Sequence, residues 1–161
     1  MLSISTRGRY ATRILVLLAS DRGERSLTKH EIAASEGLTP AYVQQIMGGL
    51  QAAGLALSFR GKQGGFKLAR PADTITVADV LRVMEGDIRL APCHDGDNCD
   101  RIAGCPTRDI WVDAAFLLDD YFRQTTIAQL AEKAAVLAAR GRTATPAETA
   151  VGAFVEKGAR L

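Results

Sequence analysis

The sequence predicts a mainly α-helical protein with one small β-hairpin, and three observations lead to this fold class. Apolar residues recur at helical spacing in several segments that begin with capping residues and end at glycines. Two short strand-like runs flank a glycine-rich basic turn at 61–65. The long stretch 107–140 contains neither proline nor glycine. The expected order is therefore several short helices, a hairpin, and one long helix near the C-terminus.

The first half of the chain predicts three helices. Residues 8–20 carry apolar residues at helical spacing. Thr28 and Glu31 have the spacing of a capping box, so a second helix should follow them. Thr39 and Pro40 suit the cap and first position of a third helix. Its predicted buried face is Val43, Ile46, Met47 and Leu50. Two short helices with this separation have the dimensions of a helix-turn-helix.

A predicted hairpin follows the third helix, with strands in 55–60 and 66–70. A hairpin directly after a helix-turn-helix forms the wing of a winged helix-turn-helix domain. Thr76 can cap another helix that ends at Gly86. These elements together predict one DNA-binding domain over 1–86.

Three cysteines, Cys93, Cys99 and Cys105, lie in the polar loop 87–106 at an even spacing. Thiols gathered on one loop suit a soft metal centre better than a packed core. Two other interpretations stay open for this loop. Structural zinc usually uses closer cysteine pairs. A metal-free thiol switch would instead join two of the three cysteines.

The stretch 107–140 predicts a single helix about 45 Å long. Its apolar stripe is too wide for a helix that packs on one side only. The stripe contains Ile110, Trp111, Ala114, Leu117, Leu118, Tyr121, Phe122 and Leu130. Pairing with a second copy would bury it, so we expect a dimerisation helix. A helix that folds back on its own domain is the alternative. Residues 141–161 form a tail with a short predicted helix.

Charge is divided unevenly between the two halves of the chain, although the net charge is only +2. Residues 1–70 hold ten Lys/Arg against four Asp/Glu, whereas 71–161 hold ten against fourteen. A basic first half suggests that it meets a polyanion such as nucleic acid. With an odd cysteine count and neither a signal peptide nor a membrane span, we expect a cytoplasmic protein.

The sequence gives little indication of an enzyme. His30 and His94 are far apart, and the chain contains no recognisable nucleophile motif. We therefore expect no catalytic residues and no small-molecule substrate. An iron–sulfur assembly or electron-transfer protein is a further alternative, which would need the cysteines but not the basic wing.

These motifs together resemble the IscR/NsrR/RirA family of bacterial winged-helix transcription regulators. The resemblance covers residues 1 to about 135. It is carried by residues 7–11, 41–46, 53–55, 60–70 and 76–81, by the three cysteines and by Trp111. The wing motif and the cysteine spacing are specific in combination.

The resemblance implies a repressor-type, homodimeric regulator of palindromic double-stranded promoter DNA. It also implies that Cys93, Cys99 and Cys105 bind a [2Fe–2S] or [4Fe–4S] cluster, through which the protein senses nitric oxide, redox or iron status. Relatives place a histidine or a carboxylate at the fourth ligand position, where this chain has Arg108 and Arg9. The other candidates for a fourth ligand are His94, Asp95, Asp97 and Asp109. A thiol-based redox sensor without a cluster remains the alternative.

Residues for DNA contact are predicted in three places. The third helix should enter the major groove with its first turns, and the wing should reach the minor groove or phosphates. Arginines near the N-terminus, placed before the first helix, suit contacts with the DNA backbone. The candidates are Arg7, Arg9, Thr39, Ala41, Tyr42, Gln44, Gln45, Arg60, Lys62 and Gly64.

Overall fold

A computed structural model describes residues 3–20, 25–61, 64–91, 99 and 102–143, with the backbone alone for 141–143. The helices are α1 (Thr6–Ala19), α2 (Lys29–Glu36), α3 (Pro40–Ala52), α4 (Val77–Glu85), α5 (Arg108–Arg123) and α6 (Ile127–Thr143). The strands are β1 (Ala56–Phe59) and β2 (Gly65–Leu68). Short 3₁₀ turns lie at Ala72–Thr74 and Ile102–Gly104. This architecture confirms the predicted fold class.

Helix α1 begins two residues before the predicted start. The Ser5 side chain accepts a hydrogen bond from the Gly8 backbone N–H at 3.1 Å, which satisfies a free donor of the first turn. Arg7 and Arg9 therefore lie inside α1. Their predicted position before the first helix was wrong, because Ser5 serves as the cap.

The helix-turn-helix forms as its caps predict. Thr28 and Glu31 make both bonds of the capping box at the start of α2. Gly37 ends α2 with a φ of 67°, a left-handed conformation that favours glycine. The Thr39 side chain accepts from the backbone N–H of Tyr42, and Pro40 opens α3. These local signals fix where α2 ends and where α3 begins.

The hydrophobic core lies within the winged-helix half of the molecule. Helices α1, α2, α3 and α4 and the hairpin all contribute to it, together with the first residue of α6. Its fully buried members include Ile14, Leu15, Ile32, Val43, Ile46, Met47, Leu50, Ile75, Val80 and Ile127. The predicted buried face of α3 is confirmed in full.

The two strands pair antiparallel, with Phe59 opposite Gly65 at the turn end. Leu27 extends this sheet by two backbone hydrogen bonds with Phe66, at 3.0 and 2.8 Å. Phe66 fills the core beneath the hairpin. The wing is thus attached to the domain through its second strand.

The predicted single helix over 107–140 was wrong, because the chain breaks between α5 and α6. Thr126 and Gln129 form a reciprocal pair of backbone-to-side-chain bonds, at 2.9 and 3.2 Å, that starts a new helix. The backbone around Thr126 also bonds to the segment before α4, where the Ile127 N–H donates to the Ile75 carbonyl at 2.8 Å. Ile127 is fully buried there, which fixes the break.

After the break, α6 runs back along α1 and the turn at 72–74. The alternative of a helix folding back on its own domain therefore holds for α6. Residues 144–161, including the short predicted helix, lie outside the described residues. Among the described helices, none is long and apolar enough to cross a membrane.

Candidate nucleic-acid interface and cysteine segment

The exposed face of α3 carries three of the predicted DNA contacts. Ala41, Gln44 and Gln45 are all exposed, while the opposite face of the helix is buried. Gly48 continues this face by one further turn and is also exposed. Gly48 was not among the predicted contacts, although its spacing from Gln44 would have indicated it. A helix face with these small and amide side chains can approach base edges closely.

Tyr42 is a less free candidate than its neighbours, because it is half-buried. Its ring meets the Tyr10 ring edge-on, with 6.4 Å between ring centroids. The Arg13 guanidinium lies over the same Tyr10 ring, 5.6 Å from its centroid. Tyr10 is partly buried and packs against the core. The arrangement holds the start of α3 against α1.

The wing presents Arg60 on an exposed turn. Gly61 has a φ of 104°, and its carbonyl accepts from the Gly64 N–H at 2.9 Å. A Cβ at Gly64 would lie 2.5 Å from the Phe59 carbonyl oxygen, so this tight turn requires glycine there. Lys62 lies outside the described residues.

A side-chain hydrogen bond links the hairpin to α3. The Gln51 side chain donates to the Ser58 hydroxyl at 2.9 Å, joining the end of α3 to β1. This bond links the wing directly to the C-terminal end of α3.

Arg7 and Arg9 occupy different surroundings within α1. Arg7 packs between α3 and α4, where a Cβ at Gly49 would come within 3.3 Å of its Nη2. Its Nε is buried and finds no hydrogen-bond partner among the described residues. Arg9 is exposed and lines an apolar groove of about 650 Å³ between α1, α5 and α6. The two arginines thus serve different faces of the domain.

Within the cysteine segment, 87–106, the structure describes 87–91, 99 and 102–106. Cys93, His94, Asp95 and Asp97 lie outside the described residues. Cys99 is exposed and Cys105 is half-buried. A 3₁₀ turn separates these two cysteines, and the Cys99 carbonyl accepts from the N–H of Ile102 at 3.1 Å. In the described part of the chain, no group of three or more His, Cys, Asp or Glu could hold a metal ion.

The Cys105 thiol lies 3.4 Å from the Thr107 hydroxyl. Hydrogen bonds from the Thr107 hydroxyl, and then from the backbone N–H groups of Thr107 and Arg108, lower the pKa of Cys105 from its usual value. Asp109, the described candidate for a fourth ligand, is exposed and lies 3.8 Å from the Arg108 guanidinium. Both residues belong to the first turn of α5.

Helix α5 exposes five large apolar side chains. Ala115 is its one buried residue. The exposed large apolar residues of this helix are Ile110, Trp111, Phe116, Leu117 and Tyr121, at 43–69% exposure. Monomeric proteins rarely leave so continuous an apolar face in water. The face therefore marks an interaction surface.

Ion pairs attach α5 to α4. Arg82 of α4 contacts Asp119 at 3.2 Å and also Asp87, at the entrance to the cysteine segment, at 3.2 Å. Arg123 contacts the same Asp119 at 2.5 Å, and this hydrogen bond raises the pKa of Arg123. The sequence offered no signal for the Arg82–Asp119 pair, since 37 positions separate its members. The Arg82–Asp119 pair holds α5 against α4.

Comparison with known proteins places the chain in a family. A family model described as Rrf2, an iron-dependent transcriptional regulator, matches residues 4–133. The chain belongs to the Rrf2 family. The resemblance inferred from the wing and the cysteines is confirmed, because IscR proteins are among its Rrf2 relatives.

Named relatives of this Rrf2 protein are transcription regulators. The regulator CymR of Bacillus subtilis is 32% identical over 130 residues, covering 81% of this chain and 90% of the relative. IscR of Erwinia tasmaniensis is 26% identical over 139 residues, covering 86% and 84%. This Rrf2 protein is accordingly a helix-turn-helix transcriptional regulator and not an enzyme.

Solved structures show the same fold. The structure of CymR, the global cysteine regulator of B. subtilis, superimposes with a TM-score of 0.70 at 32% identity, covering 83% of this chain and 98% of that one. The oxidized form of Staphylococcus aureus CymR gives 0.66 at 30%, covering 81% and 97%. IscR of T. potens gives 0.68 at 29%, with 94% of both chains covered.

Proposed function

We propose that this regulator binds palindromic promoter DNA as a homodimer, and that an iron–sulfur cluster on its cysteine segment controls that binding. The observation that carries the proposal is the direct connection of three parts. The segment with all three cysteines follows α4. Two residues then separate Cys105 from Arg108, where α5 begins. A change at the cysteines would therefore act on the helix that sets the distance between the two winged-helix domains of the dimer.

The DNA-binding part of the proposal is supported by exposure and charge. Ala41, Gln44 and Gln45 form an exposed face of small and amide side chains opposite the buried face of α3, as a recognition helix requires. Arg60 stands on an exposed turn tied to that helix. We infer that α3 enters the major groove and that the wing contacts the adjacent backbone or minor groove.

The homodimer is supported by the uncovered face of α5. A two-fold pair buries the same patch of both subunits, so Phe116 and Leu117 would lose their exposure to water in one step. Such a pair presents two reading heads with two-fold symmetry, which is why we infer a palindromic operator. The expected location is the cytoplasm, where the DNA lies.

The cluster is supported by the chemistry of the donor set. Cys99 and Cys105 hold free thiols on either side of one short turn, and Cys93 adds a third from the same segment. Thiolates are the ligands that iron–sulfur clusters take. A bound cluster would supply a centre that nitric oxide, oxidants or iron shortage can destroy. His94, Asp95, Asp97 and Asp109 remain the candidates for its fourth ligand.

A thiol switch without a cluster is the second candidate function. It is favoured by the exposure of Cys99 and by the likeness to CymR, a cysteine regulator whose oxidized form has been solved. In this alternative two of the three cysteines form a disulfide, with loss of two electrons and two protons to an oxidant.

Anaerobic reconstitution with ferrous iron and sulfide separates the two candidates. We expect the wild-type protein to become brown with visible absorption and Cys99→Ala to stay colourless. His30→Ala, which changes an exposed histidine of α2, serves as the matched control and should retain the colour. A wild-type protein that binds no iron, but whose DNA affinity changes with a thiol oxidant, would replace the cluster with the thiol switch.

DNA binding is tested with a duplex that the wild-type protein selects from a random pool. We expect affinity for this duplex to depend on cluster state, measured before and after nitric oxide. Equal affinity in both states would contradict control by the cluster while leaving DNA binding intact.

A further inference from the structure

Two large apolar side chains are exposed on the wing. Leu57 and Phe59 of β1 are 47% and 48% exposed. They alternate with residues of the inner face, where Ala56 is buried and Ser58 accepts the bond from Gln51. Phe66 of β2 likewise fills the core beneath this inner face. The outer face of the hairpin, expected to be polar in a sheet with one solvated side, is instead apolar at these two positions.

Phe59 stands at the turn end of this outer face. It is the last residue of β1, and it pairs with Gly65, which has no side chain to cover it. Arg60 and Gly61 of the exposed turn follow it directly. Leu57 lies two residues farther from the turn, about 7 Å along the strand. Phe59 is therefore the exposed apolar side chain of the wing that lies nearest to the turn, and Leu57 is the next one along β1.

Charge identifies the occupant of this face. Residues 55–70 contain four basic residues and no acidic one, and of these four Arg70 pairs with Asp79 of α4 at 2.9 Å. A cluster of this sign around an apolar pair suits a polyanion that also offers apolar surface. The minor groove of DNA has both, since phosphates line its edges and deoxyribose forms its walls. The apolar face of α5 lies outside this basic segment, in the acidic half of the chain, and is the surface assigned to a second copy.

We propose that Phe59, supported by Leu57, packs against deoxyribose and the edge of a base step in the minor groove when the wing tip enters it. Apolar side chains at minor-groove contacts read the shape and deformability of a base step. Phe59 is thus a specificity-determining residue, whereas Arg60 supplies affinity for phosphate. The inference rests on the proposed DNA interface.

The test compares Phe59→Ala and Leu57→Ala on two duplexes, the wild-type-selected one and a scrambled one, by fluorescence anisotropy. We expect Phe59→Ala to weaken binding to the selected duplex about tenfold, and Leu57→Ala about threefold because it lies farther from the turn. Both variants should change affinity for the scrambled duplex less than about twofold, because contact with phosphate is retained. Phe59→Leu, which keeps an apolar side chain, should stay near wild type.

The salt dependence of binding separates a groove contact from a general role in the wing. Phe59→Ala should leave the slope of log affinity against log salt unchanged, while Arg60→Ala should reduce it by about one. Hydroxyl-radical footprinting should show protected sugars at the wing position for wild type and their exposure for Phe59→Ala.

Several outcomes would overturn the inference. Equal losses on both duplexes would assign Phe59 to wing structure, and unchanged affinity would remove it from the interface. A change of oligomeric state in Phe59→Ala, seen by light scattering, would give the face to a second copy. If the wild-type protein selects no duplex at all, the proposed function itself fails, which is a separate result.

Discussion

Large apolar side chains are buried in the winged helix but exposed on α5. In the winged helix, Ile14, Ile46 and Val80 are fully removed from water by other elements of the same chain. In α5, Phe116 and Leu117 are more than 60% exposed. The first region is covered by its own core, whereas α5 leaves large apolar side chains for the proposed partner subunit to cover. In the proposed dimer, the contact between the subunits would be able to change without unfolding the winged helices.

The largest expected effect comes from breaking the partner contact of α5. We expect Leu117→Asp to convert the dimer to a monomer, because a buried unpaired carboxylate is costly at an apolar interface. Affinity for the selected palindromic duplex should fall at least tenfold, since each monomer then holds one half-site. Light scattering measures the mass and anisotropy measures the affinity.

A matched change in the core should act on folding instead. Ile46→Ala removes a fully buried side chain and should lower the free energy of unfolding by about 2–5 kcal/mol in urea titrations. The Leu117→Asp variant should keep the circular dichroism of its helices. If it unfolds like Ile46→Ala, the two regions do not differ in the way proposed.

The same contrast explains what the sequence predicted well. Thr28, Glu31, Thr39 and Pro40 act on neighbours within four residues, so their patterns alone placed α2 and α3 correctly. The wing followed from its glycines for the same reason. Arg7 was harder to place, because its packing depends on Gly49, far away in sequence.

The break between α5 and α6 was not predicted from local sequence patterns. The absence of proline and glycine in 107–140 favoured one helix, yet Thr126 and Gln129 already have capping-box spacing. The break is fixed by the burial of Ile127 and by the hydrogen bond from its backbone N–H to the Ile75 carbonyl. Such long-range contacts cannot be read from periodicity.

A smaller effect should follow from removing this cap. We expect Thr126→Ala to lower the free energy of unfolding by about 1 kcal/mol, because the Gln129 N–H loses its acceptor. Thr107→Ala is the matched control. Thr107 precedes α5 but makes no capping bond with its side chain, so stability should change little. Equal effects from the two variants would argue against a cap at Thr126.

The smallest expected effect lies at the start of α2 and depends on pH. Hydrogen bonds from the Thr28 backbone N–H and the Thr28 side chain, and then one from Arg25, lower the pKa of Glu31. A carboxyl whose pKa is lowered by folding stabilises the protein at pH values above its ordinary pKa. This contribution is lost as the pH falls through the lowered pKa of the folded protein. Glu31→Gln keeps a side chain that can accept from Thr28 but cannot titrate. We therefore expect the melting temperature of wild type to exceed that of Glu31→Gln slightly at neutral pH, with the difference vanishing in acid. A difference that persists unchanged at low pH would show that the charge of Glu31 has no part in capping α2.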